Sequence, residues 1–131
     1  MNHAEFLEAV GKRAGVPATE ATTVVGATLT TLAERVSGGE ARHLAMRLPE
    51  ELRGYLHKNV DFAEQLDLVE FLNEVGVRAG TEDDDRTAEV ARAVLTTLRE
   101  AVSAEDLKGL ESELPKDIRR LLHPLDRGIG G

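Results

Sequence analysis

The sequence predicts an all-α protein, a compact bundle of about eight short helices made of two pseudo-twofold-related four-helix repeats. Three observations carry this. The stretch Val24–Ser37, VVGATLTTLAERVS, returns as Val90–Ser103, VARAVLTTLREAVS, with Leu29 recurring as Leu95 and Glu34 as Glu100, 66 positions on. Apolar residues recur at three- and four-residue spacing between helix start and stop signals. The aromatic residues are Phe6, Tyr55, Phe62 and Phe71, with no Trp, so the core must be built mainly from Leu, Val and Ala. That composition suits helix packing better than a sandwich.

The first helix is expected over Asn2–Ala14. Asn2 followed by Glu5 makes a capping-box pattern, Phe6, Leu7, Val10 and Ala14 form the stripe, and Gly15 is the stop. Its copy starts at Asp67 with Glu70, carries Phe71, Leu72, Val75 and Ala79, and stops at Gly80. Arg13-Ala14-Gly15 thus recurs as Arg78-Ala79-Gly80. The connection Thr81–Asp85 is one residue longer than Val16–Thr19, which moves the offset from 65 to 66. In the central helices one face carries Ala21, Val25, Leu29, Leu32 and Val36, and then Ala91, Leu95, Leu98 and Val102. Such a stripe has to be covered by other helices. Thr30-Thr31 and Thr96-Thr97 are expected off it.

Ser37 with Glu40, and Ser103 with Asp106, are a second pair of capping signatures. The third helices carry Leu44, Ala45 and Leu48, then Leu107, Leu110 and Leu114. Each ends at Leu-Pro, and the proline suits the first turn of a short fourth helix. Those are Glu50–Leu56 (Leu52, Tyr55, Leu56) and Lys116–Leu122 (Ile118, Leu121, Leu122). His57–Leu66 links the copies, with Phe62 and Leu66 expected as anchors onto the body. Arg127–Gly131 lacks periodicity and is expected to fray. Residues 1–66 are the first repeat with its linker and 67–131 the second with a short tail. Together they are expected to form one structural domain, since a unit of about 65 residues buries too little apolar surface alone.

The motifs E-F-L-x-x-V-x-x-R-A-G, V-L-x-T-L-x-E-x-V-S and L-P-x-x-[LI]-R-x-L-L stand at Glu70–Gly80, Val94–Ser103 and Leu114–Leu122. Weaker equivalents stand at Glu5–Gly15, Thr28–Ser37 and Leu48–Leu56, where Tyr55 replaces a Leu of the closing motif. In these the chain resembles the bacterial domain-of-unknown-function 2267 family, whose members are single or tandem copies of this unit. The resemblance implies the fold and supplies no activity.

A net charge of −8, with the acids spread along the chain, argues against a nonspecific nucleic-acid or anionic-membrane binder. Without cysteine there is no disulfide, thiolate metal site or thiol nucleophile. No window approaches the roughly 20 apolar residues of a spanning helix, and no signal peptide is read, so the expectation is a soluble, cytoplasmic protein.

Candidate chemistry is sparse. Glu40 and His43 have the E-x-x-H spacing of di-iron bundles, but the second copy has Asp106 and Gly109 there, and the plain reading is a capping acid and a surface histidine. Glu82–Asp85 lacks the alternation and central Gly of a calcium loop, and reads as an acidic helix N-terminus. His57 with Arg53 and Lys58, and His123 with Arg119, Arg120 and Arg127, form matched basic clusters after the fourth helices. They are either cations opposing helix carbonyls or an anion or acidic-partner site shared by both copies. No nucleophile elbow or phosphate loop is present. The expectation is a protein–protein binding or scaffolding module without catalysis or cofactor. Its partner would be a protein, with self-association open. The alternatives are a metal-dependent or anion-binding protein using Glu40/His43 or the His57/His123 clusters, and nucleic-acid binding through the fourth helices.

Overall fold

A computed structural model describes residues 1–125. Arg127 and the Arg127–Gly131 tail expected to fray lie outside the described residues. Among the described residues there are eight α-helices and no strand. They are α1 (His3–Ala14), α2 (Ala18–Arg35), α3 (Gly38–Arg47), α4 (Glu50–Arg53), α5 (Leu68–Ala79), α6 (Asp84–Ala101), α7 (Ala104–Ser112) and α8 (Lys116–Arg119). Each fourth helix is a single α turn that tightens into a 3₁₀ turn, Gly54–Leu56 and Arg120–Leu122.

The capping chemistry works as the sequence implies at α1 and α5. The Glu5 amide donates to the Asn2 side chain at 2.8 Å, and Glu5 accepts from the Asn2 amide. Asp67 and Glu70 repeat the exchange. Both helices end on a glycine in the left-handed region, Gly15 at φ 68° and Gly80 at φ 75°, where any side chain would be strained.

The core is one cluster drawn from both halves. Phe6 and Val10 of α1, and Phe71 and Val75 of α5, are fully buried, as are Leu29 and Leu32 of α2 and Leu95 and Leu98 of α6. The halves interdigitate. Helix α1 packs on α6 as well as on its neighbour α2, α5 packs on α2 as well as on α6, α2 touches α6, and α3 meets α7. Helix α2 is therefore buried well beyond the predicted stripe, with Val24, Ala27, Thr28 and Ala33 also inside.

Two expectations are corrected. Thr31 and Thr97 are fully buried rather than off the packed face, and Thr96 is nearly so. Each of Thr31 and Thr97 donates its hydroxyl to the carbonyl one turn back, Ala27 or Ala93, at 2.8 Å, so no hydrogen bond is lost on burial. The same oxygens then accept from an arginine of the other half. Arg78 donates to Thr31 Oγ1 at 2.8 Å and grips both oxygens of Glu34 at 3.0 and 2.7 Å. Arg13 donates to Thr97 Oγ1 at 2.9 Å and to Glu100 Oε2 at 2.6 Å. Phe62 is also not an anchor, being 65% exposed. The linker is held by polar contacts instead. Lys58 Nζ donates to the carbonyls of Ala33, Val36 and Phe62, the Gly38 amide to Asp61 O, the Glu64 amide to Glu34 O, and Arg35 Nε to Leu66 O. Leu66 is half-buried. A chain crossing a polar surface satisfies its backbone this way without an apolar plug.

Candidate functional site

Helix α2 of the first half and α6 of the second present the same outward groove with opposite fillings. In the first half the groove is flanked by Thr22, Thr23, Ala27, Thr30 and Arg78, and Tyr55 lies over Gly26 and narrows it to about 300 Å³. A Cβ at Gly26 would stand 2.7 Å from the Tyr55 ring, so the ring can lie there only because residue 26 has no side chain. In the second half the equivalent positions are Ala88, Glu89, Ala93, Thr96 and Arg13, but Arg92 stands at the place of Gly26 and Leu121 at that of Tyr55. Leu121 is buried in the core and covers nothing outside. The groove there is open, with a volume near 790 Å³, and it extends from Asp85 to Arg99 with Pro124 and Leu125 on its rim.

Its charges are unevenly matched. Glu100 is engaged by Arg13 at 2.6 Å, and Glu89 lies 3.7 Å from Arg86. Arg92 and Arg99 have no ion pair among the described residues. Among the described residues Arg92 reaches only the carbonyls of Arg120 and His123, at 3.5 and 3.4 Å, and burial pulls its guanidinium below its ordinary range. Leu125 is an exposed apolar side chain.

A second polar cluster lies where α3 meets α7, around a cavity of about 450 Å³ lined by Glu40, His43, Arg47 and Asp106 among others. Here the two capping signatures differ. Ser103 and Asp106 complete their box. At Ser37 the backbone amide and hydroxyl both donate to Glu113 of α7, at 2.7 and 2.8 Å, while the hydroxyl accepts from the Glu40 amide. Glu113 thus takes the amide that Glu40 would have bound in return. Glu40 Oε2 is buried without a partner, and its carboxyl is pushed up by burial first, then by Glu113 and Asp106, against the opposing pull of His43.

Asp106 is the opposite case. His43 Nε2 bonds its Oδ1 at 2.6 Å, and Arg47 Nε donates to Oδ2 at 3.0 Å. The His43 bond, with Ser103 and Arg47 adding to it, holds this carboxyl at about 2, below its ordinary 3.8. A depressed acid adds stability that is complete above its unfolded value and is lost as pH falls through its folded value. Asp106→Asn is therefore expected to be less stable than wild type near neutrality, with the difference shrinking from about pH 4 to about pH 2. Urea midpoints across that range check this, and a constant difference would refute it.

The sequence-predicted basic residues fall into two groups. Lys58 is committed to helix carbonyls, as is Arg53, whose Nε donates to Ala45 O at 3.1 Å and Leu48 O at 3.3 Å. His57, Arg119 and Arg120 are exposed, and His123 Nε2 lies 3.3 Å from Glu111. No group of three or more His, Asp or Glu among the described residues is placed to hold a metal ion, and the Nε2 of His43 is already bonded to Asp106. The open groove escaped sequence reasoning. Its signal was present in two departures from the repeat, Gly26 against Arg92 and Tyr55 against Leu121. Each is a small departure alone, and they become a pair only when Tyr55 is seen to touch residue 26.

No helix among the described residues is long and apolar enough to cross a membrane. Residues 3–121 match the family described as uncharacterized conserved protein, DUF2267, and the chain belongs to it. A comparison with curated proteins finds no match.

Proposed function

We propose that this DUF2267 member is a helical binding module without chemistry of its own, and that it captures a partner protein in the open groove along α6. The observation carrying this is the unequal fate of one groove. The repeat supplies the frame twice, Tyr55 on Gly26 narrows it to about 300 Å³ in the first half, and the second half leaves about 790 Å³ lined with charge. Packing alone would favour filling both, because exposed apolar surface next to a half-buried guanidinium costs free energy. A concave, partly apolar groove with a few fixed polar groups is the usual form of a recognition site.

This reading takes the halves as related by an approximate twofold axis. The support is reciprocity: Arg13 reaches Thr97 and Glu100, while their equivalents Arg78, Thr31 and Glu34 meet in the reverse sense. Such exchange characterises isologous contacts. The test copies the first half's plug into the second. Arg92→Gly with Leu121→Tyr should close the groove and leave the fold intact by circular dichroism. A partner retained by the wild-type chain from its native lysate should then be lost. Equal retention by both chains, or no partner together with a monomer in scattering, would remove this function.

A further inference from the structure

The groove also carries a charge pattern that specifies what it accepts. Asp85, Arg92 and Arg99 follow one another at seven-residue spacing on α6. Seven residues are nearly two full turns, so the three side chains project from one face about 10 Å apart along the axis. Every other charge on the groove wall is neutralised nearby: Glu89 faces Arg86, and Glu100 faces Arg13. Asp85, Arg92 and Arg99 form no ion pair among the described residues. Ala88 and Ala93 provide an apolar floor between them, and Leu125, 55% exposed, an apolar rim. Two guanidiniums without an ion pair among the described residues, in one groove of a chain with net charge −8, run against the general field of the protein, and so mark a local preference for anions.

Resting on the reading of the groove as the partner site, we infer that its occupant is an acidic amphipathic helix of the partner protein, laid antiparallel to α6. Its two carboxylates, seven residues apart, meet Arg99 and then Arg92, and a lysine seven residues further on meets Asp85. Apolar side chains between them rest on Ala88, Ala93 and Leu125. Arginine suits this task because its planar donors pair with both oxygens of a carboxylate. The antiparallel sense is set by the occupant's own dipole, since a parallel helix of order K-x6-E-x6-E would match the same three charges. It places the occupant's acids toward its own N-terminus and its lysine toward its C-terminus, where each opposes that helix's dipole. Groove recognition of an apolar helix face supplies the remaining affinity.

The test uses the full chain and a labelled synthetic peptide of about five turns with the pattern E-x6-E-x6-K on an alanine–leucine frame, followed by fluorescence anisotropy. Saturable binding is expected, weakened about tenfold by Arg92→Gln and by Arg99→Gln, and further by added salt. A peptide with the charges reversed, K-x6-K-x6-E, should fail to bind. Ala88→Trp, which blocks the floor without touching the core plug, should abolish binding, as should the Arg92→Gly/Leu121→Tyr double substitution. Loss of binding on blocking, with no effect of the glutamine variants or of charge reversal, would keep the groove and overturn the acidic occupant. Unchanged binding in both blocked variants would overturn the groove itself. Binding seen only after deletion of residues 126–131 would assign the groove to the chain's own C-terminus and overturn the proposal, as would absence of binding by the E-x6-E-x6-K peptide.

Discussion

Leu29→Ala and Leu95→Ala are each expected to lower the unfolding free energy by about 2–5 kcal/mol. Both side chains are fully buried, at equivalent positions of the two central helices. Truncation removes the transfer free energy of the lost carbons and leaves a cavity that surrounding helices only partly fill. Neither site can relax easily, because α2 is packed by α1, α5 and α6, and α6 by α1, α2 and α5. A single shared core also predicts that each substitution unfolds the whole chain in one transition. Denaturant melts followed by helicity and by Tyr55 fluorescence check both points. A cost below about 1 kcal/mol at either leucine, or separate transitions by the two probes, would show that the halves do not share their interior as described.

Arg78→Ala is expected to cost about 1–3 kcal/mol, and Arg13→Ala about 1 kcal/mol or less, although the two arginines occupy equivalent places. The difference lies in geometry and solvent. Arg78 grips both oxygens of Glu34, with side chains 29% and 34% exposed. That hydrogen bond is the leading reason its guanidinium is raised above its ordinary range. Arg13 holds Glu100 through one oxygen, and Glu100 is 51% exposed. A surface pair of this kind is weakened by water and salt, whereas a two-pronged, half-buried pair keeps more of its interaction. Double-mutant cycles on Arg78/Glu34 and Arg13/Glu100 measure the two couplings separately. Equal coupling energies, or a larger one for Arg13, would contradict this account. Thr31 and Thr97 should suffer little from loss of their arginine, since each hydroxyl keeps its bond to the carbonyl one turn back.

The local signals were legible because each is complete within a few residues. Asn2 with Glu5, Asp67 with Glu70, and Ser103 with Asp106 close their boxes, and Gly15 and Gly80 stop their helices, as their spacing implies. Ser37 with Glu40 has the same local form but a different outcome. The competitor, Glu113, arrives from 76 residues away, and no pattern around Ser37 announces it. The burial of Thr31 and Thr97 is not legible locally for a related reason. A polar residue in a helix looks solvent-facing until the carbonyl and the distant arginine that satisfy it are known. Phe62 erred in the other direction: an aromatic in a linker suggests an anchor, yet backbone and lysine contacts hold that linker.

The amino-acid order by itself determined that this chain is helical, where each helix begins and ends to within a turn, and that one pattern of start, stripe and stop signals is written twice. Those properties follow from backbone sterics, capping groups and apolar spacing, all of which act within a turn or two of the chain. Only the tertiary structure decided which half each arginine would grip, which carboxylate would lose its cap, and which copy of the groove would stand wider. Those outcomes depend on side chains that meet across roughly 30 residues of sequence or more, where contact is set by how the helices pack and by which neighbour leaves room.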